Sequence, residues 1–152
     1  MNVHDPFNTV RSDFIEKIGL VVQGDGMSRI AGRIMGLMVF DGRAYSFSEL
    51  AEELQVSRGS ISSNARFLEE HCVIERVGKP GDRQDYFKLA DDPFVTIMKA
   101  AVQRTRKAAT AIQKTIDELP KGNDAVEKRL TDYRSFYQNI GDAIASIDTD
   151  NT

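Results

Sequence analysis

The chain has 152 residues and a formal net charge of −3, with 41% hydrophobic and 28% charged residues. This is the composition of a soluble globular protein with one compact core, and it contains no apolar run long enough to span a bilayer. A single cysteine argues against a disulfide framework. The N-terminus is polar and shows no signal-peptide pattern, so we expect a cytoplasmic protein without a membrane partner.

Two amphipathic helices are predicted at the N-terminal end. Apolar residues recur at helical spacing over 7–21, and a second helix is predicted over 27–40. In the second helix Ser28, Gly32 and Gly36 form a stripe of small residues at four-residue spacing. Glycine lowers helix propensity, so this stripe predicts close packing against another helix.

The segment 46–56 predicts a short capped helix followed by a turn, after a short strand at Ala44-Tyr45. The Ser46 hydroxyl can accept the amide of Glu49, and the Glu49 carboxylate can reach back to the amide of Ser46, as in a capping box. Gln55 and Val56 form the turn. The apolar residues of this helix fall on one face, which should contact the core: Phe47, Leu50, Ala51 and Leu54.

A second short helix begins after Ser57, which can cap it. Ile61, Ala65 and Leu68 recur at helical spacing and should face the core. Small polar side chains permit close approach to a major groove, and hydroxyls and amides can meet bases and phosphates. The alternative is a face that is merely solvated. The opposite face is short, polar and free of acids: Arg58, Gly59, Ser60, Ser62, Ser63, Asn64 and Arg66.

A β-hairpin is predicted over 73–89, with its loop at 78–84. Asp82 or Asp85 could pair with Arg83 and fix its direction. The alternative is an ordinary surface hairpin with balanced charges. The loop carries residues suited to a minor groove or to the phosphate backbone: Lys79, Gly81, Arg83 and Gln84.

Two longer helices are predicted after residue 93, separated by a break at Pro120-Lys121-Gly122. Residues 93–116 carry five Lys/Arg and no acid, whereas 117–150 carry eight acids and four bases. An antiparallel hairpin or an exchange between subunits would match these charges, and the basic stretch could also be a solvated face or touch DNA. The last helix has a coiled-coil-like seam: Val126, Leu130, Tyr133, Tyr137, Ile140, Ile144 and Ile147.

The last helix also carries three aromatic residues close together, Tyr133, Phe136 and Tyr137. Ring faces attract cations, so this cluster is a candidate site for a small-molecule effector such as a quaternary ammonium. Tyr133 and Tyr137 occupy seam positions, however, and a core or interface role is the stronger interpretation.

Catalytic and metal chemistry find little support in the sequence. His4 and His71 are far apart and have no metal-ligand spacing, and no glycine loop could cradle a phosphate, so we expect neither an enzyme nor a cofactor. Cys72 could sense redox state if its thiolate were exposed and stabilised. A lone cysteine beside Val73 is more often a small buried hydrophobe.

Four segments carry a family resemblance: GRIMGL at 32–37, SELAEEL at 48–54, VSRGSIS at 56–62 and KPGDRQDYF at 79–87. They resemble the MarR-type regulators, and specifically their GbsR-like branch. The resemblance implies a homodimeric transcription factor, usually a repressor, and some members are associated with osmoprotectant genes.

The chain departs from the MarR-type pattern at two places. Gln84 stands where many wings of this type carry arginine, with Arg83 one residue earlier. Gln55 stands where many helix-turn-helix units have glycine, which predicts a looser turn.

These patterns predict a mostly α-helical fold with a small β-hairpin, in three parts. N-terminal scaffold and dimerisation helices occupy 1–40, a winged helix-turn-helix DNA-binding domain occupies 41–90, and a C-terminal dimerisation hairpin occupies 91–152. We expect a homodimeric, sequence-specific repressor that binds a double-stranded DNA operator.

The alternative function is a winged-helix adaptor that binds protein and has lost DNA contact. The net charge of −3 favours the adaptor. Residues 55–90 carry six Lys/Arg and five acids, and this local net charge of +1 offsets the overall acidity only partly. The acid-free helix face and the basic hairpin tip favour DNA.

Overall fold

A computed structural model describes residues 5–147 of the chain. The chain forms two compact units, one ending at Pro93 and the other beginning at Phe94. His4 and the last residues of the acidic stretch 117–150, from 148 onwards, lie outside the described residues. Within them, no helix combines the length and apolarity needed to cross a membrane.

The first unit opens with helix α1, Pro6–Gly24, and helix α2, Arg29–Asp41. The Asp5 carboxylate caps α1 by accepting the amide of Phe7 at 3.0 Å. Helix α2 starts two residues later than predicted, because Ser28 is its cap and accepts the amide of Ala31 at 2.9 Å.

The predicted small-residue stripe packs against α1. A Cβ added at Gly32 would lie 2.8 Å from Val22 Cβ and 2.9 Å from the Cα of Gly19, and one at Gly36 would lie 3.3 Å from the Cα of Ile15. The prediction of close helix packing is therefore confirmed for the two glycines. Ser28, the third member of the stripe, caps the helix instead.

The winged unit follows as β1 Tyr45–Ser46, α3 Phe47–Leu54, α4 Arg58–Glu70, β2 Ile74–Gly78 and β3 Asp85–Leu89. The strands form an antiparallel sheet in the order β1-β3-β2. Tyr45 pairs with Phe87, and Ile74 pairs with Leu89. The predicted fold class, mostly helical with a small β-hairpin, is confirmed, and β1 extends the hairpin to three strands.

Helix α3 has the first contact of its predicted capping box, and in the second contact the Glu49 carboxylate is shared between the Ser46 amide and Arg43. Ser46 Oγ accepts the amide of Glu49 at 3.1 Å, and the Glu49 carboxylate is bound 2.8 Å from Arg43. The guanidinium of Arg43, and then the backbone amide of Ser46, lower the pKa of Glu49. Phe47 is half-buried and packs edge-on against Phe87, with ring centroids 4.8 Å apart.

One apolar core joins α2 to the winged unit. Burying one aliphatic side chain such as Leu37 contributes about 1.5–3 kcal/mol to the free energy of folding, so the packing of α2 helps to hold α3 and α4 in place. The side chains with almost no exposure come from every element of the winged unit and from α2: Ile34, Leu37, Met38, Tyr45, Leu50, Ile61, Leu68, Val73, Ile74 and Phe87.

A polar network ties α1 to the same core. Arg11 donates to both oxygens of Asp41, at 2.8 and 2.7 Å, and the hydroxyl of Tyr45 also donates to Asp41. The Arg11 guanidinium, and after it the Tyr45 hydroxyl, hold the pKa of Asp41 below its usual range. Arg33 donates to the carbonyl of Leu54 at 3.0 Å, which links α2 to the end of α3.

The second unit consists of α5, Pro93–Glu118, and α6, Asp124–Ile147. Arg134 of α6 donates to Gln113 of α5, and a Cβ added at Gly141 would lie 2.6 Å from Thr105 Oγ1. Residue numbers rise along one helix as they fall along the other, so the two helices form an antiparallel hairpin within one chain.

The predicted seam of α6 is only partly covered within the second unit, since five of its seven residues are half-buried and Tyr133 and Ile147 are exposed. Of the described residues of α6 only Gly141 is buried, and Tyr133, Phe136 and Ile147 are each at least half exposed. Exposed aromatic side chains next to each other, as Tyr133 and Phe136 are here, are typical of a surface that binds another molecule.

Candidate nucleic-acid interface

The turn between α3 and α4 is tight. Gln55 has φ 53° and ψ 47°, in the left-handed region, and the amide of Val56 donates to the carbonyl of Ala51 at 3.2 Å. Ser57 then caps α4 by accepting the amide of Ser60 at 3.1 Å. The prediction of a looser turn is therefore wrong, because Gln55 adopts the conformation that glycine would supply.

Helix α4 presents a polar face, but its members differ in exposure. Ser60, Ser62 and Asn64 are half-buried along its margins. The remaining members of the predicted face are exposed: Arg58, Gly59, Ser63 and Arg66. The predicted set is therefore divided into an exposed centre and a more enclosed border.

Two exposed residues of α4 were not predicted. Phe67 is 37% exposed and lies four residues after Ser63, on the same side of the helix, and Glu70 follows at the next turn. The spacing from Ser63 is the signal that could have identified them. They bring an apolar ring and an acid to the C-terminal end of a face whose N-terminal end is basic and polar.

Asn64 uses both ends of its amide within the protein. Its Nδ2 donates to the carbonyl of Ser60 at 2.7 Å, and its Oδ1 accepts the hydroxyl of Ser28. Asn64 was predicted to contact bases, and this arrangement instead turns its amide towards the cap of α2.

Arg58 lies beside the hairpin loop. It donates to Ser48 Oγ and shares a groove with Phe47, Gln84 and Asp85. The structure thus brings together Arg58 of α4 and Gln84 of the loop, two predicted site residues that are distant in sequence.

The loop between β2 and β3, the wing, is held by Asp82. Its carboxylate accepts the amide of Gln84 at 2.9 Å and the hydroxyl of Tyr86 at 2.7 Å, and Gly81 adopts φ 78° before it. The Gln84 amide, and then the Tyr86 hydroxyl, lower the pKa of Asp82. The ammonium of Lys79 lies 3.9 Å from the centroid of the Tyr86 ring.

Neither aspartate pairs with Arg83. Asp82 is occupied as described, and Asp85 is 2.9 Å from Arg76. The prediction that one of them fixes the direction of Arg83 is therefore wrong. Arg83 is exposed, and its guanidinium takes part in none of the ion pairs formed within residues 5–147.

Ion pairs in residues 55–90 occupy two of the six basic side chains and leave the other four for other contacts. Arg76 pairs with Glu69 as well as Asp85, and Lys88 pairs with Glu75 at 3.1 Å. These pairs engage Glu69, Glu75 and Asp85, whereas Glu70 and Asp82 form no salt bridge within the described residues. Within the described chain, the cationic groups of α4 and the wing that form no salt bridge with an acid are Arg58, Arg66, Lys79 and Arg83.

Cys72 lies outside the core. It is exposed and adopts φ 57° two residues after the end of α4, where the amide of Val73 donates to the carbonyl of Leu68 at 2.9 Å. The interpretation of Cys72 as a buried hydrophobe is wrong, because the chain reverses at this residue. In the described residues no cluster of three or more His, Cys, Asp or Glu could hold a metal ion.

The aromatic cluster of α6 is a surface feature of the second unit. The hydroxyls of Tyr133 and Tyr137 lie 2.9 Å apart, and this hydrogen bond raises the pKa of Tyr137. Phe136 lies 5.4 Å from Tyr137, centroid to centroid. The three rings contact one another along one side of the helix.

Known proteins of similar sequence and structure indicate the family of this chain. No family model matches the sequence. The chain is 40% identical over 137 residues to the HTH-type transcriptional regulator MmpR5 of Mycobacterium tuberculosis (strain ATCC 25618 / H37Rv), over 84% of this chain and 80% of that protein. It is 27% identical over 84 residues to the HTH-type transcriptional repressor OpcR of Bacillus subtilis (strain 168), over 55% of this chain and 45% of that protein.

A solved structure described as the crystal structure of a transcriptional regulator has the same fold. It aligns with a TM-score of 0.75 and 26% identity, over 90% of this chain and 94% of that chain. The winged helix, its basic side chains and the extent of the similarity to MmpR5 lead to one conclusion: the chain belongs to the family of helix-turn-helix transcriptional regulators, which act by binding DNA.

Proposed function

We propose that this regulator is a cytoplasmic, homodimeric repressor of the MarR type, in its GbsR-like branch, with α4 in the major groove and the wing in the minor groove of its operator. The observation that carries the proposal is the set of four cationic groups, defined above, that form no salt bridge with an acid in the described residues and that flank a face of small polar residues. OpcR, which is named a repressor, supports the direction of regulation.

The exposed centre of α4 suits the major groove. Gly59 and Ser63 allow the helix to approach base edges closely, and Arg66 can reach guanine or a phosphate. Ser57 and Arg58, at the N-terminal end, lie where backbone phosphates pass, since helix N-termini and guanidinium groups bind anions.

The wing suits the minor groove. Asp82 and Gly81 hold the loop, and Arg83 extends from it without a salt bridge to an acid in the described chain. A narrow A·T-rich minor groove concentrates negative potential and attracts an inserted arginine.

Dimerisation is assigned to residues 1–40 and 91–152, and DNA binding to 41–90. Both units carry exposed apolar side chains, among them Val10 on α1 and Phe136 on α6. On this basis Tyr133, Phe136 and Tyr137 contribute to the interface between copies rather than to an effector site. A symmetric dimer would present two copies of α4 to half-sites about 10 base pairs apart, or a small multiple of that.

The adaptor alternative keeps two observations in its favour, the net charge of −3 and the exposed Phe67. Selection of binding sites from random duplex DNA separates the two functions. We expect enrichment of a pseudo-palindromic sequence. Failure to enrich any sequence at low salt would contradict the proposal and favour the adaptor.

The wing is tested on the selected duplex with A·T or G·C flanks. We expect Arg83→Ala to weaken binding by about 1–3 kcal/mol on A·T flanks and less on G·C flanks, with Arg83→Lys recovering only part of the loss. Arg76→Ala is the matched control: it removes the same charge from the same hairpin and leaves Glu69 and Asp85 unpaired, so any loss of affinity should be equal on the two kinds of flank. An equal loss on both flanks for Arg83→Ala would leave Arg83 as a phosphate contact.

A further inference from the structure

We propose that Asn64 is a positioning residue, and that its hydrogen bond with Ser28 fixes the rotation of α4 relative to the α1–α2 pair. The inference rests on the proposed DNA-binding role of α4. It assigns to Asn64 a role in orienting the recognition face instead of contacting bases.

The orientation of the Asn64 amide is determined by its partners. The carbonyl of Ser60 can only accept, so Nδ2 must face it, at 2.7 Å. Oδ1 therefore faces Ser28. The Ser28 oxygen already accepts the amide of Ala31 at 2.9 Å, which leaves its own hydrogen to donate to Asn64.

A directional contact is needed at this place. Helix α4 is held to the core by Ile61, Ala65 and Leu68, and apolar burial has no preferred direction. Such packing tolerates small rotations about the helix axis. A hydrogen bond at the edge of the helix does not, because its geometry is narrow.

The other end of the contact is firmly held. Ser28 caps α2, and four residues later the chain reaches Gly32, which packs closely against the backbone of α1. The hydrogen bond thus joins the recognition helix to a closely packed pair of helices. Ser63 and Arg66 lie at most two residues from Asn64, so any rotation of α4 displaces them directly.

The test is a double-mutant cycle on the full chain. Ser28→Gly removes the hydroxyl and destabilises the N-terminal cap of α2 only slightly, and Asn64→Ala removes the amide. On the duplex recovered from random-sequence selection, we expect each single variant to lose about 3- to 10-fold in affinity, the range of one hydrogen bond, and the double variant to lose no more than the worse single one. Ser28→Thr keeps a hydroxyl and should bind like the unmodified chain.

Specificity provides the second measurement. We expect the order of preference among single-base variants of the duplex to be the same for the unmodified chain, Ser28→Gly and Asn64→Ala. A changed order for Asn64→Ala alone would show that Asn64 contacts bases. Losses that multiply in the double variant, or Ser28→Gly binding normally, would also overturn the proposal.

Hydrogen exchange without DNA keeps this test independent of the proposed function. We expect Ser28→Gly and Asn64→Ala to accelerate amide exchange in α4 to the same extent, with no further increase in the double variant. If the unmodified chain bound no duplex, the proposed function would fail, and this measurement would still decide the positioning role. Unchanged exchange in both single variants would overturn it.

Discussion

Gln55 is strained in a way that a single substitution can relieve. Its φ of 53° lies in the left-handed region, which costs a residue with a Cβ about 1–2 kcal/mol. Its side chain is exposed, so little is lost by removing it. We expect Gln55→Gly to raise the free energy of unfolding by about 0.5–1 kcal/mol, after the larger chain entropy of unfolded glycine is subtracted.

Urea denaturation measures this change. Gln55→Ala is the control, because it removes the same side chain but keeps the Cβ and hence the strain. A Gln55→Gly variant no more stable than Gln55→Ala would show that the left-handed conformation costs nothing at this turn.

Individual side-chain roles were the least predictable feature of the sequence. Asn64 has a residue type that suits base contacts, but its partner Ser28 lies 36 residues away and no spacing within α4 indicates it. Asp82 was expected to orient Arg83, yet it accepts a local amide and the Tyr86 hydroxyl instead. Polar partners depend on three-dimensional proximity, which a sequence pattern does not contain.

At the scale of elements the sequence was more informative, because helices and strands follow from repeated local spacing. The core positions Ile61, Ala65 and Leu68 were predicted from periodicity alone, and all three are buried. The two glycines of α2 predicted close packing from their cost to helix propensity. Their partner, α1, was not identified, since small residues indicate a near neighbour without naming it.

The packing of α1 on α2 is tested by adding one methyl group. Gly32→Ala would place a Cβ within 3 Å of backbone atoms of Gly19 and Ile18, so the helices must separate. We expect the free energy of unfolding to fall by about 1–3 kcal/mol, despite the higher helix propensity of alanine. Thermal or urea unfolding would measure it.

Gly24→Ala is the matched control for this packing. It is the same substitution at the end of α1, where an added Cβ meets nothing within 4 Å. We expect it to leave stability unchanged or slightly raised. Equal effects of the two substitutions would contradict the role assigned to close packing at Gly32.

For the whole molecule, the net charge of −3 is a poor guide to function, since it averages regions of different character. Glu69, Glu75 and Asp85 are engaged by Arg76 and Lys88, which leaves Arg58, Arg66, Lys79 and Arg83 available on this side of the molecule together with the exposed acid Glu70. Electrostatic attraction to DNA depends on this local distribution, so we expect a modest non-specific component of binding.

We expect the molecule to assemble with a second copy, because a single chain leaves large apolar side chains exposed on both units. Phe136 is 53% exposed and Val10 is 59% exposed, each among further exposed apolar side chains of its own unit. Covering such surfaces is the main favourable term in association. We expect sedimentation at micromolar concentration to give twice the chain mass of 17.0 kDa.

Charge substitutions identify the surfaces that a second copy covers. Val10→Glu and Phe136→Glu would each bury a carboxylate twice in a symmetric interface, because every contact occurs in both copies, and both variants should shift towards monomer. Phe67→Glu is the matched control: Phe67 is also an exposed aromatic, at 37%, but lies on the face assigned to DNA, so the variant should remain dimeric and lose DNA affinity instead. A monomeric unmodified chain would exclude the two-headed arrangement and, with it, operators built from two half-sites. Dissociation by Phe67→Glu alone would instead place the dimer contact on α4 and leave that helix unavailable to the major groove.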